Sequence, residues 1–111
     1  MTREDLLAAG FRAYRPGLKQ HAEEMLQKDV REDGEALFFI NVYRYDLRSV
    51  RPELGAAFTA EVSFYRPRGD EEPLQMVVKI PDADRLTTAD LEDYYRDLYT
   101  LLGCVPDIHN N

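Results

Sequence analysis

The chain has 111 residues, 44% of them hydrophobic and 32% charged, with a formal net charge of −7. That length fits one domain with its own core, and the composition is that of a globular chain rather than a disordered one. The surplus of acids argues against direct binding to nucleic acid or an anionic membrane, which demand excess Lys and Arg, and no apolar run approaches the ~20 residues of a spanning helix.

In chain order, Thr2 followed by Asp5 has the spacing of a helix N-cap with an acid in the first turn, where free backbone amides and the helix dipole favour it. This predicts a short helix to about Ala9, ended by Gly10. Phe11 and Tyr14 then fall in a connector turned by Pro16-Gly17. Residues 21–31 are ambiguous: Ala22, Met25 and Leu26 suit a helix, while Leu26, Lys28 and Val30 alternate as in a strand. The strand reading is preferred because Asp33-Gly34 is a strong hairpin signal. Residues 36–46 are the clearest strand, being rich in β-branched and aromatic side chains. Pro52 and Gly55 break it, residues 57–65 alternate again, residues 67–73 read as a polar loop, and residues 74–80 form a strand ended by Pro81. Thr87 and Asp90 have capping-box spacing ahead of a helix whose apolar stripe is Leu91, Tyr94, Tyr95, Leu98, Leu101 and Leu102. Gly103 closes that helix, and a tail runs from about Cys104.

The expected fold is α+β: an antiparallel β-meander of about four strands, with a short N-terminal helix and a C-terminal amphipathic helix packed on one face, forming one domain over residues 1–111. Strand alternation names the buried face. Phe38, Ile40, Val42, Phe58, Val62, Phe64, Met76 and Val78, with Leu98 of the helix, are expected to pack together. The opposite rows hold Phe39, Asn41, Tyr43 and Tyr45 on one strand and Tyr65 on its neighbour. A wholly solvated face would carry mostly Lys, Glu, Thr and Gln. An aromatic cluster there implies cross-strand packing, cover by the residue 11–17 connector, or a binding or dimer surface, for which tyrosine's large ring and polar tip are suited.

The search for chemistry names no catalytic residue, metal ligand or cofactor site. His21 reads as a surface residue at a strand start and His109 as part of the tail. Cys104 is the sole cysteine, so no internal disulfide forms, which agrees with a reducing compartment, and it reads as a small buried hydrophobe. Asp82-Ala83-Asp84 begins like a calcium loop, but Thr87 stands where Gly is required and Asp93 where Glu is required. No phosphate loop, CxxC or Ser/His/Asp signature occurs. Residues 1–9, with Arg3, Glu4 and Asp5, lack the apolar stretch of a secretory signal, so a cytoplasmic location is expected.

The segment Gln27-Lys28-Asp29-Val30, leading through Asp33-Gly34 into residues 37–42 with Tyr45-Asp46 and the closing amphipathic helix, resembles small uncharacterised proteins encoded by phages and prophages. The resemblance implies an accessory protein of the bacterial cytoplasm and transfers no catalytic residue. The leading expectation is a non-enzymatic interaction protein that binds a partner protein or a second copy of itself through the sheet face. One alternative is an acidic inhibitor or immunity-type protein that masks a basic nuclease or a nucleic-acid-binding complex. Another is a small enzyme or ligand-binding fold with a pocket between sheet and helices.

Overall fold

The computed structural model describes residues 1–15, 21–33 and 36–109, apart from the side chains of 31–33, 49 and 102–109. Two helices and five strands follow one another as α1 (Arg3–Ala8), β1 (Arg12–Tyr14), β2 (Glu24–Asp33), β3 (Ala36–Asp46), β4 (Ala56–Arg68), β5 (Glu71–Ile80) and α2 (Thr88–His109). The strands form one open sheet in the order β1-β2-β3-β4-β5, each pair antiparallel, so the fold is an α+β meander.

Both helices start as the sequence implies. Thr2 Oγ1 accepts from the Asp5 amide while Asp5 Oδ2 accepts from the Thr2 amide, at 3.1 and 2.9 Å. Thr87 and Asp90 repeat the arrangement at the start of α2, at 3.2 and 2.9 Å. Each box satisfies amides that have no partner inside the helix. Gly10, at φ +98°, ends α1 in a conformation costly for other residues.

The core lies between the helices and one sheet face. Leu26, Ile40 and Val42, each 0% exposed, are joined there by Phe38, Phe58, Val62, Phe64 and Ile80, with Leu6 from α1 and Leu91 and Tyr95 from α2. Phe38 is the hub, its ring 4.9 Å from Phe64, 6.0 Å from Tyr95 and 5.3 Å from Tyr99. Fully burying a side chain of this kind contributes roughly 1.5–3 kcal/mol.

Several expectations are corrected. There are five strands rather than four, because Arg12–Tyr14 pairs with Met25–Gln27 as an edge strand instead of forming a connector. Strand status at three residues depends on a neighbour's free hydrogen-bonding edge, not on local pattern. Residues 67–73 are not a loop: β4 runs to Arg68 and β5 begins at Glu71, with Gly69 at φ +63° in the turn. The α2 helix does not close at Gly103 but continues to His109, so the expected tail is helical. Its inward stripe is Leu91, Tyr95, Leu98 and Tyr99, the last two half-buried, while Tyr94 and Leu101 are 37% and 65% exposed. Met76, expected in the core, is 38% exposed, and Val78 is only half-buried. Both lie on β5 at the rim, while α2 sits over the middle strands: Tyr95 and Tyr99 rest on Phe38 of β3, and Glu92 pairs with Lys28 of β2 at 2.7 Å. Pro16 and Gly17 lie outside the described residues, as do Gly34 of the β2–β3 turn and the side chains of Asp33, Leu102, Cys104 and His109, while the backbone pairing of Asp33 with Ala36 closes the expected hairpin.

Polar side chains fix the ends of the layers. Glu24 Oε1 accepts from Arg3 at 2.6 Å and from Arg44 at 2.9 Å, tying α1 to β2 and β3. Burial pushes the Glu24 carboxyl up, but the hydrogen bonds and charges of the two guanidiniums outweigh it and hold the group below its usual range. Asp84 Oδ1 accepts from the Phe58 amide at 2.6 Å, which fastens the turn before α2 to the start of β4.

Candidate functional site

Because directly paired residues in an antiparallel sheet share a face, the register spells out the second face row by row. One row crosses all five strands as Arg12, Gln27, Asn41, Glu61 and Lys79. Beside it run Tyr14, Met25, Tyr43 and Thr59 on one side, and Asp29, Phe39, Ser63 and Val77 on the other. Leu37, Tyr65 and Gln75 come next towards the β4–β5 turn, and Tyr45 with Ala57 lies at the opposite end. Four inter-strand steps make this surface about 19 Å wide. Among the described residues, both helices pack on the other face.

The five residues expected at the site share this face but are not equally available. Asn41 is 5% exposed and Tyr43 8% exposed, whereas Phe39, Tyr45 and Tyr65 are half-buried. The buried Asn41 amide is hydrogen-bonded to both neighbouring strands. Its Oδ1 accepts from Gln27 Nε2 at 2.8 Å, its Nδ2 donates to Ser63 Oγ at 2.7 Å, and Ser63 in turn donates to Glu61 Oε2 at 3.4 Å. This chain of donors and acceptors stitches β2, β3 and β4 together on the side away from the core. Burial raises the Tyr43 hydroxyl above its usual pKa, with the charges of Glu61 and Tyr45 adding to the shift. The face therefore has a fixed floor, Asn41 and Tyr43, with Phe39, Tyr45 and Tyr65 standing around it.

Two more residues contribute to the face, Val77, which alternation on the last strand placed there, and Tyr14, which the sequence reading missed. Tyr14, 45% exposed, joins the face because β1 is a strand, and Val77, 57% exposed, stands at the other edge. Val77 was legible from alternation on β5, but Tyr14 carried no local signal. The connector, whose cover was one of the explanations offered for the patch, does not fold over it in its described part. Phe11, 3% exposed, turns into the core on the opposite side, and Arg12–Tyr14 extends the sheet.

The other candidate sites weaken on inspection of their partners. An open cleft of about 540 Å³ between α1 and the start of α2 is lined by Met1, Asp5, Ala8, Ala9, Thr87 and Thr88. Asp5 and Thr87 use their side chains in the two capping boxes, and the Met1 ammonium donates to the Leu86 carbonyl at 3.3 Å. The acids of α2 do not make a surface of one sign: Asp90 caps the helix, Glu92 pairs with Lys28, and Asp93 pairs with Arg96 at 2.8 Å. Among the described residues, no group of three His, Cys, Asp or Glu side chains could hold a metal, and no helix is long and apolar enough to cross a membrane. Comparison with protein-family models, with curated proteins and with solved structures finds no match for this chain.

Proposed function

We propose that the chain is a non-enzymatic accessory protein that docks a protein partner on the second sheet face, a role of the kind its resemblance to phage and prophage proteins implies. The observation that carries this reading is the set of half-buried rings, Phe39, Tyr45 and Tyr65, flanked by exposed Tyr14 and Val77, on a face that neither helix covers. Aromatic side chains are enriched at protein interfaces, where tyrosine combines contact area with a hydrogen-bonding tip. The hydrogen bonds of Asn41 to Gln27 and Ser63 tie the central strands on this face together, and a preformed surface lowers the ordering cost of binding. Charges on the face are of both signs, with Arg12 and Lys79 against Asp29 and Glu61. Such a surface suits a polar-rimmed protein interface better than a polyanion.

The test is the double substitution Tyr45→Ala with Tyr65→Ala, which spares the buried floor. Affinity capture followed by quantitative mass spectrometry should show a partner held by the wild type and lost by the variant, with the two circular dichroism spectra alike. A variant that keeps the partner, or that unfolds, removes the reading.

A further inference from the structure

Among the described residues the sheet ends in two strands, β1 and β5, each with a neighbour on one side only, and the two ends are built differently. At one end β1 has three residues, all exposed, between Phe11 and Arg15. It is too short to template another strand. At the other end β5 has ten residues. Its centre, residues 74–78, is Leu-Gln-Met-Val-Val, without a charge or a proline. Leu74, Met76 and Val77 are 36%, 38% and 57% exposed. Proteins ordinarily blunt an edge of that length with charge or proline along its middle. Here charge and proline are confined to the two ends, Glu71, Glu72 and Pro73 at one and Lys79 at the other.

We propose that two copies of the chain pair through β5, antiparallel about a two-fold axis, to make one continuous ten-stranded sheet with all four helices on the same side. This surface is the sheet edge, and it adjoins the partner face described above along Gln75, Val77 and Lys79. The two-fold restricts the register. Paired residues must share a face, so the axis passes through a residue rather than between two. With Met76 on the axis, Met76 meets Met76, Leu74 meets Val78, and Gln75 meets Val77. The row Phe38, Phe64, Met76 and the row Ile40, Val62, Val78 both stop half-covered at the rim of one copy. In the pair they run on into the second copy, which covers the Leu74, Met76 and Val78 side chains that α2 leaves open.

Charge agrees with this register. Arg66 pairs with Leu74 and Arg68 with Glu71, so the two residues Glu72 and Pro73 oppose the single residue Pro67. This bulge places Glu72 beside Pro73 in the sheet, and in the proposed pair that position faces Lys79 of the second copy. Glu72 and Lys79 are both exposed. Each end of the paired edge thus sets a carboxylate against an ammonium. Pro73, having no N–H, costs the ladder at most one bond per copy.

Sedimentation equilibrium on the full chain should give twice the 12.9 kDa chain mass at high micromolar concentration. Met76→Lys should return it to the single-chain mass with an unchanged circular dichroism spectrum. In a Cys104→Ser background, Met76→Cys should form a disulfide-linked dimer under mild oxidation, because only residue 76 meets itself, and Leu74→Cys should link far less. A wild type that sediments as a monomer, a dimer that survives Met76→Lys, or stronger linking through Leu74→Cys would each overturn the proposal. Tyr45→Ala with Tyr65→Ala should leave the dimer mass unchanged, so failure of the edge and failure of the partner face are told apart.

Discussion

β3 and β4 carry two surfaces on one backbone, and the two are held by different physics. On the helix side, Phe38, Ile40, Val42, Val62 and Phe64 are 5% exposed or less and belong to one apolar cluster. On the other side the most buried side chain of β3 is an amide, Asn41, bonded to Gln27 and Ser63. The first face is stabilised by removing area from water, which needs no particular geometry. The second is held by directional bonds that cost free energy if left unmade. A residue's partner, more than its exposure, therefore says which face it serves.

The largest effect is expected on the helix side. Ile40→Ala should destabilise the domain by about 2–5 kcal/mol in a denaturant melt, as cavity-forming core changes do. A loss no larger than that of Val77→Ala, a surface change expected to stay within about 0.5 kcal/mol, would mean that the helix side is not the core.

Asn41→Ala sharpens the second half. It strands Gln27 and Ser63 with unmet hydrogen bonds and should cost about 1–3 kcal/mol, although the residue faces away from the core. Asn41→Leu should not recover stability, since an apolar side chain leaves the same groups unpaired. Recovery would show that area, not hydrogen bonding, buries this position.

A smaller effect separates α1 from both faces. Glu24 is held below the ordinary carboxylate range by Arg3 and Arg44, so its contribution is present above its unfolded value of 4.5 and is lost as pH falls through the lowered folded value. Glu24→Gln should cost about 1–2 kcal/mol at neutral pH, a figure moderated by the exposure of Arg3. The variant should also lose less stability than the wild type between pH 4.5 and more acidic conditions. Parallel acid-denaturation curves would remove Glu24 from the account. Smallest of all, Tyr45→Ala with Tyr65→Ala should change stability little while changing what the protein binds.

Much of this was legible in the chain. The two capping boxes, the alternation of Phe38, Ile40 and Val42, and the placement of Phe39, Asn41, Tyr43, Tyr45 and Tyr65 on the opposite side are local consequences of helical and extended periods. What was not legible depended on distance. Asn41 and Tyr43 looked like surface residues until Gln27 and Ser63 were placed beside the first and most of the second was found shielded from water. Met76 and Val78 have the same phase as Phe64 and Val62, yet their strand lies at the rim, where α2 does not reach. The buried stripe of α2 also differs from the expected one, taking in Tyr99 and leaving out Tyr94 and Leu101, because the sheet it packs on, through Phe38 under Tyr95 and Tyr99, decides which flank of the helix is covered.

The sequence by itself determined the α+β order, the two caps and the division of each strand into two faces, because alternation and capping act within a few residues of the chain. The tertiary structure alone decided that Arg12–Tyr14 is a strand, that β5 ends the sheet with its apolar centre half bare, and that an asparagine is locked under a tyrosine-lined face. Each of these rests on a partner many residues away. Hydrogen-bonding edges and helix coverage are properties of neighbours in space, and no local period records them.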